Sequence, residues 1–235
     1  GENTESEIPI PDVVNISLSA ETVCPSYLQS AIDSLVERNV VVVVSAGNKN
    51  GLSANYTPGN CANVINVGSH DNSLNKSDFS NAGENVDLTV FESQFTTTAY
   101  HAVGTNYGTS TGTSGSAATV SSVVSIIKSQ YPDAEPSKIE DVLKWSSAPY
   151  PESSSCVSGC GKGSLNAKQA LVLADKLFDP SINFRHAFQL SDEGEFSQTC
   201  KLERQVDGLS SYMETCKAVI AEFDLSYVDV SDSLE

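Results

Sequence analysis

Basic residues are scarce: 13 lysines and arginines stand against 30 acidic residues, for a formal net charge of −17. Binding a phosphate backbone needs clustered Lys and Arg, so nucleic acid is excluded as a partner. Long apolar runs are missing too. Even Val40–Val44, which no apolar run exceeds in length, falls far short of the roughly 20 residues of a membrane-spanning helix. No leader of charged, apolar and small residues opens the chain, so any secretory signal is expected to have been removed or to lie outside it. Zinc fits poorly. Cys156 and Cys160 have no second close pair beside them, and the three histidines, His70, His101 and His186, lie elsewhere. Disulfides are the expected use of the six cysteines, which implies an oxidising compartment. The 235 residues suffice for one sizeable core, alone or with a small appendage.

Two stretches carry chemistry. In Gly112-Thr113-Ser114-Gly115-Ser116-Ala117-Ala118, small residues precede a run with the spacing of a buried helix (Val120, Val123, Val124, Ile126, Ile127). A serine at that helix start faces unpaired N–H groups and the positive end of the helix dipole, a natural seat for a nucleophile. The plainer alternative is a small-residue cap on a core helix. The second stretch, Val40–Asn50, is a β-branched run ending in Ser45-Ala46-Gly47-Asn48. Such a run predicts a strand buried on both faces of a parallel sheet. Residues at the carboxyl ends of such strands line ligand sites, and an asparagine there can donate to an oxyanion.

With these stretches the chain resembles the subtilisin-like serine proteases. Val14-Asn15-Ile16-Ser17-Leu18 is similar to the family's substrate-binding strand, and Ser45-Ala46-Gly47-Asn48 to the wall of its primary specificity pocket followed by the oxyanion asparagine. Asp78-Phe79-Ser80-Asn81 is similar to its (A/D)-F-S-N loop, and Gly112-Thr113-Ser114 to its nucleophile turn. The resemblance runs from about Val13 to Leu173. It implies an α/β fold, a parallel β-sheet with flanking helices, with residues 1–177 forming the carboxyl-terminal part of a catalytic domain. It also implies that Ser114 is the nucleophile, Asn48 an oxyanion donor, and Ser17, Leu18, Ser19, Ser45, Ala46 and Gly47 a substrate groove. Ser19 stands where the family usually has glycine, a change expected to narrow that groove. The cysteines Cys24 with Cys61, and Cys156 with Cys160, resemble the bridges of a secreted bacterial branch, so the protein is expected to be extracellular.

Further elements follow from pattern. Asp12–Ser19 is the first expected strand, Tyr27–Glu37 a helix after Pro25-Ser26, Asn63–Gly68 and Asn85–Val90 strands, and Pro136–Trp145 and Lys168–Lys176 helices. Ser93–Thr111, rich in Ser, Thr and Gly, is expected to be an irregular loop. Three glycosylation sequons begin at Asn15, Asn55 and Asn75; the first falls in a strand expected to be buried, which marks it as chance. Residues 178–235 alternate like strands (Phe184, His186, Phe188, Leu190), predicting a small β-rich extension. A hairpin about Gly208 would place Cys200 opposite Cys216. A single helix is the alternative, and it would hold those cysteines about 24 Å apart, too far for a bridge.

Two Gly-Thr-Ser triplets compete for the nucleophile. Ser114 stands directly at the helix start, whereas Ser110 would leave Thr111-Gly112-Thr113 before it. The family's Met-Ala-(S/A/T)-Pro-His after the serine is here Gly115-Ser116-Ala117-Ala118-Thr119. A serine hydroxyl needs an imidazole base and an orienting carboxylate; the family's D-(S/T)-G and H-G-T-H contexts for these occur nowhere in this sequence. His70 follows a core strand and is expected to be structural; His101 precedes the nucleophile turn and is a remote candidate base. Three hypotheses result. The chain is the serine-bearing part of an endopeptidase acting on polypeptides, its His and Asp on a companion chain or a missing amino-terminal segment. Or it is an inactive peptide-binding relative. Or it is a structural domain in which Asn48 and Ser114 are caps. No cofactor is expected; the family often binds calcium, but no acidic loop is specific enough to assign.

Overall fold

The computed structural model describes residues 10–97, 107–178, 189–190 and 196–197. The chain divides into two compact units, Gly1–Val172 and Leu173–Glu235.

The valine run organises the first unit. It forms β3 (Val41–Ser45), every residue of which is buried. With β1 (Val13–Ile16), β5 (Ile65–His70) and β6 (Leu88–Phe91) it makes a parallel sheet in the order β1-β3-β5-β6. Val14 lies opposite Val42, Val43 opposite Ile65, and Val67 opposite Leu88. Parallel neighbours need crossovers, and α1 (Ser26–Glu37) supplies the one from β1 to β3. Ile32 of α1 forms a buried cluster with Val42, Val44, Cys61 and Val64. Strand alternation sends Val41 and Val43 to the other face. There α2 (Thr113–Gln130) packs across all four strands, with Val120, Val124 and Ile127 wholly buried. The valine run therefore has no polar side because neither face of β3 sees water.

Shorter elements complete the unit. β2 (Ala20–Glu21) pairs antiparallel with β4 (Tyr56–Thr57). The Cys24–Cys61 disulfide joins the approach to α1 to the loop before β5, and Cys156–Cys160 closes a tight turn. Helix α3 (Pro136–Trp145) buries Ile139, Val142 and Leu143, the apolar face its spacing predicted. It is tied to the sheet through Asp87, whose carboxylate accepts the Asn66 N–H at 2.7 Å and the Lys144 ammonium at 2.8 Å. Burial pushes the Asp87 carboxyl up to about 6, against the pull of Lys144. Helix α4 (Ala167–Phe178) follows.

Three expectations need correction. Ser93–Thr111 is not an irregular loop: β7 (Ser93–Thr97) and β8 (Tyr107–Thr111) form an antiparallel ladder, with Ser93 opposite Thr111 and Thr97 opposite Tyr107. The Thr and aromatic residues that looked like loop composition are also good strand formers. The first strand is shorter than expected, since the sheet ladder stops at Ile16 and Ser17-Leu18-Ser19 continues outside it. Finally, β1 is an edge strand and Asn15 is exposed, so burial does not disqualify its sequon.

In the second unit, β9 (Gln189–Leu190) and β10 (Phe196–Ser197) form a two-residue antiparallel ladder. His101, His186, Cys200 and Cys216 lie outside the described residues.

Candidate active site

The site is assembled where β3 ends and α2 begins. After Ser45 the chain leaves the sheet through Ala46 and Gly47. Gly47 has φ 105°, and a Cβ there would stand 2.4 Å from Asn81 Nδ2 and 2.8 Å from Ser19 Oγ. Only glycine meets both demands. The packing partner, Asn81, is buried and fully engaged. Its amide donates to Ala46 O at 2.8 Å and accepts from the Lys49 and Gly51 N–H groups at 3.0 and 2.9 Å, while its own N–H bonds Gly47 O at 2.8 Å. One side chain thus grips the chain on both sides of Asn48.

Asn48 is exposed, yet its amide is oriented. Its Oδ1 accepts the Thr113 N–H at 3.0 Å and the Thr113 hydroxyl at 2.8 Å. The oxygen being committed to two donors, the amide NH₂ is the end left to project. Thr113 Oγ1 in turn accepts the Gly47 N–H at 3.1 Å. Thr113 is completely buried, so this hydroxyl locks the end of β3 to the start of α2. Gly112 precedes it with φ 143°, and a Cβ there would press on Asn48 Nδ2 at 3.2 Å.

Ser114 is the second residue of α2, half-buried, with its backbone N–H in the first turn, where a helix provides no acceptor. Its hydroxyl donates to Ser17 O at 3.0 Å, and the Ser17 hydroxyl donates back to Ser114 O at 2.9 Å. Asn15 Nδ2 reaches Ser17 Oγ at 2.8 Å. The structure therefore brings Asn48, Ser114 and the Ser17-Leu18-Ser19 strand together around Thr113. It places Ser45 and Ala46 in the wall beside them, both buried, with Ser45 Oγ donating to Leu18 O at 3.4 Å. Ser110 lies elsewhere, inside β8 opposite Gln94.

His70 is not part of this arrangement. Buried at the end of β5, it has Nδ1 2.7 Å from Asp71 O and Nε2 2.8 Å from Ser164 Oγ. Both ring nitrogens are committed to structure. Among the described residues no group of three or more His, Cys, Asp or Glu side chains converges as metal ligands would.

Thr113 and Asn81 are letters of the Gly-Thr-Ser and Asp-Phe-Ser-Asn motifs, which by themselves assign them no role. A pattern of identities does not reveal a hydrogen-bond network. The available signal was a small polar residue between a candidate nucleophile and a glycine, at a point where the chain must turn into a buried helix.

A model of the subtilase family matches residues 10–185. The chain is 33% identical over 168 residues to an extracellular protease of Xanthomonas campestris pv. campestris, covering 69% of this chain and 29% of that protein. It is 30% identical over 139 residues to an extracellular serine proteinase of a Thermus species, covering 59% and 33% respectively. Among solved structures, a Pseudoalteromonas arctica protease superposes with TM-score 0.62 at 35% identity, covering 72% of this chain and 54% of that one. A cold-adapted subtilisin-like serine proteinase superposes with TM-score 0.57 at 27% identity, covering 68% and 57%. The chain spans about a third of the length of the two sequence relatives and about half of the two structures.

Proposed function

The chain belongs to the subtilase family, and from that premise we propose that it is the serine-bearing part of a secreted endopeptidase. A companion chain or a preceding segment supplies the histidine and aspartate. The observation that carries this reading is the lock made by Thr113, which sets the Asn48 amide beside the first turn of α2 with Ser114 next in line.

In the reaction, Ser114 Oγ gives its proton to the supplied imidazole and attacks the scissile carbonyl carbon. The negative charge that forms on the carbonyl oxygen is met by the Asn48 NH₂ and the Ser114 N–H, with the helix dipole behind them. Collapse of the tetrahedral intermediate expels the amine, which takes the proton from the imidazolium, and water, deprotonated by the imidazole, then hydrolyses the acyl-enzyme. The substrate backbone pairs with Ser17-Leu18-Ser19. The hydroxyl of Ser114 must leave Ser17 O for the imidazole as the site becomes complete. No cofactor enters this scheme. Relatives named as extracellular proteases and the two disulfides support secretion.

The bond from Ser114 to Ser17 O also favours a second reading, an inactive peptide-binding module, because it occupies the hydroxyl with the groove itself. Peptide hydrolysis by the protein as isolated from its source separates the two. Activity lost in S114A, and lowered about 10²–10³-fold in kcat by N48A, supports the peptidase; that magnitude is one established on a subtilisin and carried over. Peptide binding without turnover supports the module.

A further inference from the structure

We propose that Lys76 is a cation built into the fold: its ammonium fills a seat of three neutral oxygens and, through Asn50, positions the Asn48 amide, and the emptied seat takes a free ammonium ion. The positioning role rests on the proteolytic reading above.

A lysine ordinarily keeps its ammonium in water. That of the half-buried Lys76 instead donates to Asn50 Oδ1 at 2.6 Å, Ser77 O at 3.1 Å and Ser80 O at 3.1 Å. An ammonium has three N–H donors and no acceptor, so this one is saturated. None of its partners is charged, and the salt bridges among the described residues do not include it. Burial holds its pKa below the usual lysine value, against the pull of Asp78. A charge drawn out of water and met only by oxygen dipoles marks the seat as one shaped for a cation, not for an ion pair.

Both ends of the side chain are fixed. The Lys76 backbone bridges His70 at the end of β5, and its N–H donates to Ser155 Oγ at 3.0 Å. At the far end Asn50 has φ 50°, a left-handed conformation that asparagine tolerates. Its N–H donates to Phe79 O at 2.8 Å. The Asn81 amide holds the N–H groups of Lys49 and Gly51 on either side, and Lys76 holds the Asn50 side chain between them. Lys76 thus ties the end of β5 to the turn that carries Asn48, with only Lys49 between this anchor and the proposed oxyanion donor.

The test is peptide hydrolysis and melting of the assembled protein carrying K76M, K76A or N50G. K76M keeps the length of the side chain without the charge. N50G removes Oδ1 and keeps the left-handed backbone at no strain. Each should lower kcat at least about threefold with KM nearly unchanged, a part of the about 10²–10³-fold that loss of the donor itself costs in a subtilisin. In K76A, ammonium chloride should restore kcat and the melting midpoint towards wild type. Tetramethylammonium chloride at the same ionic strength has no N–H to give and should not. K76M, whose side chain fills the seat, should respond to neither. Wild-type kcat in K76M and N50G overturns the positioning role. Equal effects of the two salts on K76A overturn the cation seat. If the Lys76 variants do not fold, kcat of N50G decides. No hydrolysis by the wild type sinks the proteolytic reading and the positioning role with it, and the melting of K76A in the two salts then confirms or refutes the seat by itself.

Discussion

At the scale of single residues, Thr113 is the pivot. Its hydroxyl accepts from Gly47 N–H and donates to Asn48 Oδ1, so T113V removes two bonds while keeping the shape. It leaves a buried backbone N–H unsatisfied, which costs about 1–3 kcal/mol. It also leaves the Asn48 amide held by the backbone N–H of residue 113 alone, which loosens it. The expected outcome is a lowered thermal midpoint and, on the proposed reading in which the amide meets charge present only in the transition state, a fall in kcat that exceeds any change in KM. Enzyme kinetics and a melting curve on the same preparation check it. A stable T113V with unchanged kcat would show that Asn48 is oriented by something else. Such effects hide in the sequence because Gly-Thr-Ser names three residues and not the bonds between them.

At the scale of elements, the sheet and its covering helices were legible because their cause is local. Val40–Val44 can only be a doubly covered strand, and the spacing of Ile139, Val142 and Leu143 marks the face of α3. The β7–β8 ladder was not legible, since Ser, Thr and Gly serve loops and strands alike and pairing decides between them. Nor was the edge position of β1, which depends on what lies beside it. The tie between α3 and the sheet is likewise non-local, and it yields a pH prediction. The Asp87 carboxyl is raised to about 6 in the fold from about 3.9 unfolded. Protonation is therefore easier in the folded state, and the contribution of Asp87 is full below about pH 4 and lost as the pH rises through about 6. In the assembled protein, wild type should gain on D87N by up to about 3 kcal/mol between pH 7 and pH 4, read from denaturant unfolding at both values. A difference that is flat, or that moves the other way, contradicts the burial argument.

At the scale of the whole molecule, the sheet among the described residues ends on β1 at one side, where Val13, Val14 and Ile16 are only half-buried. An unpaired edge of this kind is a template for another strand. The chain by itself is therefore expected to associate or to unfold over a broad range, and sedimentation with a parallel melting curve tests this. A compact monomer with one sharp transition would mean that β1 needs no neighbour. On the proposed reading, Asn48 and Ser114 serve as oxyanion donor and nucleophile, Thr113 holds them in place, and the base reaches them from outside the described residues.

The most direct test of that account is labelling with a fluorophosphonate, applied to this chain alone and to the protein as isolated from its source, followed by peptide mapping. Such a probe reacts with a serine hydroxyl only when a base activates it and an oxyanion site receives the charge. The account predicts a label on Ser114 in the native preparation and none on the lone chain. No label in either would contradict the catalytic role of Ser114 and leave a peptide-binding module; a label on the lone chain would place the base within this sequence and bring His101 forward as the candidate.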